Sequence, residues 1–230
     1  MNSFKIILQR AEQRKGGKQA LISLLPQSVD PVLLIDRPDS FYLEEMTRSI
    51  FQSGFVWRII NSKWPTFREA FFDFEIGKLM RLSEDDWDNY IQDTRIVRHR
   101  QKISALRHNL WFVNDTAGFH HGFGQFLVDW PKSDLVGLFR YLKTKGSRLG
   151  GNTGQYFLQH VGLDSFALTR DVVLCLQMSG LDIRNNPASQ KDMKLIQQTF
   201  NQWHDESGFS YMNLSMILAY SVGENKVIAE

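Results

Sequence analysis

The sequence contains a single cysteine, Cys175, and only six prolines in 230 residues. One thiol excludes an internal disulfide and any structural zinc site built from several thiolates. No apolar run approaches the roughly 18 residues of a membrane span, and "FKIIL" near the start is too short for the apolar core of a signal peptide. A soluble, cytoplasmic protein is therefore expected. An excess of one charge is also missing, because the formal net charge is only +2. Its distribution is less even. Between Asp134 and Asp164 there is no acid, while Arg140, Lys143, Lys145 and Arg148 all fall there, and "RIVRHRQKISALRH", residues 95–108, is equally free of acids. Such local fields can hold a polyanion although the global charge is small. Two ordinary solvated helix faces explain the charges equally well.

What is abundant points to helices. Phe (17) and Trp (6) are frequent, and β-branched residues rarely alternate with polar ones, so the chain reads as all-α with no sheet. A length of 230 residues with 43% hydrophobic residues can bury a sizeable core. The expected architecture is an orthogonal bundle of about ten helices in two lobes. Residues 1–39 form an N-terminal extension and connector, and residues 40–222 form the main domain. Phe4, Ile7, Leu8 and Ala11, then Leu21, Leu24 and Leu25, fit two short amphipathic helices broken at Gly16 and Gly17. "PQSVDPVLLIDRPDS" reads as a connector, since its prolines deny helix to the residues before them. Phe41, Leu43, Met46, Ile50 and Phe51 make a helical stripe that ends near Gly54. A further helix is expected to start near Pro65, another at an Ser83 N-cap, and a longer one over 95–113. "NDTAGFHHGFGQF" reads as a loop. Helices follow near 134–145, 152–161, 169–178, 188–204 and 210–221.

The stretch "LGGNTGQYFLQHVGLDSFALTRDVV", residues 149–173, sets turn-forming residues about twenty positions ahead of Asp171. A dinucleotide-binding motif would need a hydrophobic strand before the glycines. The preceding "YLKTKGSR" is basic and polar, and the glycine spacing is also wrong. A phosphate-binding Walker loop fails because no Gly-Lys-Ser/Thr follows. A tight turn between two helices fits better. It leaves N–H groups pointing outward at the start of the second helix, where the dipole favours an anion. Gly150, Gly151, Asn152, Thr153 and Gly154, with Lys145 and Arg148 beside them, are the candidate phosphate-binding residues; a plain inter-helix turn is the alternative. Thr169 can cap the next helix, which places Asp171 in its first turn, where a carboxylate stays ionised. Such a carboxylate could stabilise the cation that develops on a deoxyribose as its base departs, and could orient the attacking water. An acid at a helix start is also common without any such role.

These residues together resemble the helix-hairpin-helix DNA glycosylase superfamily, and within it the 3-methyladenine DNA glycosylase I family. The strongest match is the Phe-rich segment from Phe67 followed by Ile96, Arg98, Arg100, Lys102 and Ile103. "FQSGFVW" is similar to the family's Gln-x-Gly-x-x-Trp segment, matched by Gln52, Gly54 and Trp57. "GGNTGQYFLQHVG" is similar to its hairpin and the segment after it, matched by Gly150, Thr153, Phe157, Gln159 and Gly162. The resemblance spans about residues 40–222. It implies an enzyme of base excision repair that flips a damaged nucleotide of double-stranded DNA into a cleft and hydrolyses its N-glycosidic bond. The substrate would be an alkylated, 3-methyladenine-like, or otherwise damaged purine. The alternative is a non-catalytic binder of damaged DNA with the same fold.

Departures from the family refine the expectations. The family's zinc ligands need several Cys and His, so no metal and no cofactor is expected here. Where the family carries a Glu three residues before its Gln, this chain has Ser49. Asp171 resembles the catalytic Asp of the wider superfamily. No Lys lies within 149–162, which speaks against a lyase step through a Schiff base. Phe55 is the candidate wedge for the gap left by a flipped base, with Gln52 beside it. Ser49, Trp57 and Tyr42 are assigned to the base pocket, with Phe41 and Trp203 as further aromatic candidates. For each ring the alternative is ordinary core. Arg98 and Lys102 read as neighbours on one helical face. A monomer is expected.

Overall fold

The computed structural model describes residues 4–224. Among them there is no strand. The helices run α1 (Phe4–Arg14), α2 (Lys18–Ser23), α3 (Pro31–Ile35), α4 (Asp39–Gln52), α5 (Trp57–Ala70), α6 (Ile76–Leu79), α7 (Glu84–Asn89), α8 (Arg100–His120), α9 (Phe123–Asp129), α10 (Leu135–Lys145), α11 (Asn152–Val161), α12 (Arg170–Met178), α13 (Gln190–Ser207) and α14 (Tyr211–Ser221). The all-α expectation holds. There are more helices than the ten or so expected because the connectors at 31–35, 76–79 and 123–129 also wind. For α3 the cause is local: Asp30 caps the Val32 N–H at 2.9 Å, and Pro31 sits at the first helical position, where its missing N–H costs nothing.

The chain divides into two compact units. One contains residues 4–28, 131–136 and 164–224, and the other contains 29–130 and 137–163. In the first, α1 packs on α14, and Phe4 meets Trp203 at 5.9 Å between ring centroids. Phe166 stacks on Phe200 at 4.2 Å. Arg10 reaches Cys175 and Ser221, and burial pushes the Cys175 thiol pKa up. Cys175 is thus a packed, unreactive thiol, as its apolar surroundings in the sequence suggest.

The second unit has an aromatic core. Trp64 stacks on Phe67 at 5.0 Å and on Phe74 at 5.8 Å, Phe51 meets Phe67 edge-on at 4.9 Å, and Phe71 lies 4.6 Å from Tyr90. The polar ends of these rings are satisfied: Trp64 Nε1 donates to Glu44 at 2.7 Å and the Tyr90 hydroxyl donates to the Ala70 carbonyl at 2.7 Å. This core overturns the expected helix start at Pro65. Helix α5 begins at Trp57 and carries Pro65 in its interior. An interior proline costs about 3 kcal/mol. Burying Ile60, Trp64 and Phe67, spaced on one face, offsets that at roughly 1.5–3 kcal/mol each.

Helix α8 also departs from expectation at both ends. It starts at Arg100 rather than 95, and it runs through "NDTAGFH", which read as a loop. Val113, Thr116 and Ala117 continue the buried stripe of Ile103, Leu106 and Leu110, so packing carries the helix past the glycine and polar residues. It stops at His121, which is left-handed (φ 60°), followed by Gly122 at φ 131°.

Candidate functional site

A cleft of about 320 Å³ opens within the second unit. It is lined by Ser49, Gln52, Ser53, Gly54, Phe55 and Trp57 on one side and by Asn152, Thr153 and Tyr156 on the other. The first set comes from the end of α4 and the turn into α5. Gln52 is the last residue of α4, Ser53 is extended, and Gly54 adopts φ 77°, a region glycine enters without strain. That reversal leaves Phe55, Val56 and Trp57 exposed at 38%, 61% and 46%, a row of large apolar side chains held out in water. The second set comes from the first two turns of α11. Asn152, Tyr156 and His160 follow at intervals of four and share one helical face.

The contacts of four side chains, Lys102, Gln52, Ser49 and Trp57, organise the cleft. Lys102 is almost fully buried, and its Nζ donates to the carbonyls of Phe51 at 3.1 Å and Ser53 at 2.6 Å, satisfying the C-terminal end of α4. The same ammonium lies 4.3 Å from the centre of the Phe55 ring. Burial, and secondly the charge of Arg148, draw the Lys102 pKa down to about 8. Gln52, 5% exposed, donates through Nε2 to Asn61 at 2.9 Å, while its Oε1 is buried without a partner. Ser49 Oγ stands 3.4 Å from His160 Nδ1. Trp57 packs edge-on against Tyr156 at 5.9 Å and His160 at 6.0 Å. Desolvation among these rings, and then the Arg48 charge, lower the His160 pKa and favour the neutral ring.

The turn at 146–151 between α10 and α11 is the hairpin that the sequence indicated. Arg148 is left-handed at φ 60°, and Gly151 has φ 59° and ψ −142°, a combination that excludes larger residues. Helix α11 opens without a side-chain cap. Asn109, fully buried on α8, clamps the turn: its Oδ1 accepts the Ser147 N–H at 2.7 Å and its Nδ2 donates to the Ser147 carbonyl at 3.1 Å. Arg148 donates to Gln101 at 3.1 Å, and Lys143, Lys145 and Arg148 are exposed. Asn109→Ala is expected to cost about 1–3 kcal/mol, since both Ser147 backbone groups lose a partner. Chemical denaturation would give the loss as a lower midpoint at unchanged slope.

The structure thus gathers Ser49, Gln52, Phe55, Trp57, Asn152 and Thr153 at one cleft, with Gly150, Gly151, Gly154, Lys145 and Arg148 at or beside the hairpin that leads into its second wall. Tyr42 is a correction. It is fully buried, its hydroxyl donates to the Leu34 carbonyl, and its ring meets Phe123 at 5.4 Å, so it belongs to the core and does not line the cleft. Trp203 is likewise core, in the other unit. Arg98 precedes α8 and does not share a face with Lys102. Two other basic residues of this stretch meet the acids of "SEDDWD": Arg107 pairs with Glu84, and Arg100 lies 3.8 Å from Asp88. Asp171 sits in the first turn of α12, where Thr169 caps the Val172 N–H at 3.3 Å as its sequence indicated. It belongs to the unit of residues 164–224, where its carboxylate stands against Gly223; a Cβ there would lie 2.7 Å from Oδ1. Among the described residues, no group of three or more His, Cys, Asp or Glu is placed to hold a metal.

Sequence reading missed Tyr156, His160, Asn61 and the buried Lys102. The i, i+4, i+8 spacing of Asn152, Tyr156 and His160 could have flagged the first two. Nothing local marks Lys102, which looks like any lysine of a basic helix.

The chain aligns with 8-oxoguanine DNA glycosylase of Methanocaldococcus jannaschii at a TM-score of 0.58 and 12% identity, covering 94% of each chain. It aligns with a 3-methyladenine DNA glycosylase I in complex with 3-methyladenine at 0.50 and 19% identity, covering 78% of this chain and 99% of that one. This is the helical DNA glycosylase fold. Residues 36–145 are similar to the methyladenine glycosylase family model. Over 55 residues the chain is 34% identical to DNA-3-methyladenine glycosylase 1 of Escherichia coli, which is 24% of this chain and 29% of that protein. The chain therefore aligns with under a third of that relative's length. The Ser49–Trp57 wall of the cleft lies inside the matched segment, and the hairpin and Asp171 lie beyond it.

Proposed function

We propose that the protein is a monofunctional DNA glycosylase of base excision repair, acting on an alkylated or otherwise damaged purine flipped out of double-stranded DNA. The cleft with an exposed aromatic at its mouth carries this reading. A duplex gives up a few kcal/mol when a base leaves the stack, and an inserted apolar side chain recovers part of it. Phe55, projected by the Gly54 turn, is suited to that insertion. Trp57 and Tyr156 offer a flipped base aromatic surface, and stacking of this kind contributes about 1–3 kcal/mol per base. The uncapped start of α11 beside Lys143, Lys145 and Arg148 supports phosphate contact at the hairpin. In this reading Asp171 is the catalytic carboxylate, water is the nucleophile, and the protein works as a soluble monomer in the cytoplasm without metal or cofactor.

One observation favours a second reading, a binder that recognises damage without excising it: no carboxylate lines the cleft. Single-turnover incubation with alkylated duplex DNA separates the two. A glycosylase releases free base and leaves an abasic site. A binder shifts the damaged duplex in a gel yet releases nothing. In either case affinity falls steeply as salt rises, because phosphate contacts release counterions.

A further inference from the structure

The polar groups of the cleft are unusual in kind. Every lining residue is uncharged, and the one orphaned atom is an acceptor: Gln52 Oε1, buried and without a donor. An unsatisfied buried acceptor is unfavourable, and an incoming N–H relieves it. The nearest fixed charges at the cleft's edge are positive. Lys102 is bonded to the carbonyl of a lining residue, Ser53, and lies against the ring of another, Phe55. The buried acids one turn back on α4 face Arg48 instead, Glu44 at 3.2 Å and Glu45 at 3.1 Å. A cationic base would enter this site with no counter-ion at the wall and an ammonium behind it. Aromatic faces favour cations only modestly and stack neutral bases as well.

We propose that the cleft selects an uncharged lesion base that carries a lactam N–H, as deamination or C8 oxidation of a purine creates, and receives that N–H on Gln52 Oε1, in preference to a cationic N-alkylated purine. Deaminated adenine gains a donor at N1 where adenine has an acceptor, and C8-oxidised guanine gains one at N7, so one fixed acceptor distinguishes lesion from parent base. The inference rests on the glycosylase reading for its biology but not for its measurement. Duplexes containing hypoxanthine, 8-oxoguanine or 7-methyladenine on uncleavable 2′-fluoro sugars report base preference by equilibrium binding, and the same lesions on deoxyribose report release.

Tighter binding of hypoxanthine or 8-oxoguanine than of 7-methyladenine is expected, by at least about tenfold. Gln52→Met, which keeps volume and removes the acceptor, is expected to erase that preference. Gln52→Glu is expected to shift it toward the methylated base. Tighter binding of 7-methyladenine by the wild-type protein, or a preference that survives Gln52→Met, overturns the proposal. If the neutral lesion binds more tightly and no duplex loses its base, the catalytic reading falls while the cleft's selectivity stands.

Discussion

Asp171→Asn is expected to lower the single-turnover rate of base release by about 10²–10³-fold, the range seen when one preorganised electrostatic partner of a transition state is removed. As a base departs, positive charge spreads over the sugar, and a carboxylate offers a full negative charge where an amide offers only a dipole. The first turn of α12, capped by Thr169, places the carboxylate at the positive end of the helix dipole. The substitution is nearly isosteric and removes a helix-start charge of the kind that contributes roughly 0.3–1 kcal/mol. Affinity for damaged duplex should be unchanged or slightly higher, since a negative charge near phosphate is lost. A variant that releases base at the wild-type rate removes Asp171 from the mechanism. An equal loss in binding and rate would mean that it serves the fold or the DNA grip instead.

Lys102→Met should produce the second large effect, by a different route. Lys102 touches no reacting atom; it holds the Phe51 and Ser53 carbonyls and backs the Phe55 ring. Met fills the space but leaves two carbonyls without a donor, at about 1–3 kcal/mol. With the turn loosened, Phe55 loses its fixed direction, and base release is expected to fall at least about tenfold, consistent with the cost of small misplacements. The pH dependence isolates this residue. Its folded pKa, about 8, lies below the ordinary 10.5. Between those values the unfolded chain binds more protons than the folded one, so this group makes stability rise with pH. The rise should be visible from pH 8 to 10, below the range in which Tyr42 and Tyr90, each raised to about 12 by burial, act in the opposite sense. Burial raises the Cys175 thiol and lowers Lys15, so both also act near this window, in opposite senses; the Lys102 contribution is therefore read as the difference between the proteins, the denaturation midpoint of the wild type changing more positively from pH 8 to 10 than that of Lys102→Met. Equal pH slopes in the two proteins would contradict the assignment.

Much of the fold was legible because its determinants are local. The N-caps at Ser83 and Thr169 and the helices over 152–161 and 169–178 follow from residues within a turn of one another. So does the break at Gly54, which presents the candidate wedge. Arg98, read as a helix neighbour of Lys102, failed because "RIVRH" precedes the helix. Tyr42 failed for a different reason: an aromatic at a buried helical position looks the same whether it faces a cleft or a core.

The sequence by itself determined that this chain is helical, where most helices begin and end, that a glycine turn stands ahead of an acid at a helix start, and that its thiol is packed. Tertiary structure decided the rest. It carried α5 through Pro65 and α8 through "NDTAGFH", buried Lys102 under α4, and set Tyr156 and His160 opposite Ser49 and Trp57. Helical period and capping act over three or four residues and can be read in line. Burial and the pairing of a polar atom depend on groups roughly fifty to a hundred positions away, which only the packed chain brings within hydrogen-bonding distance.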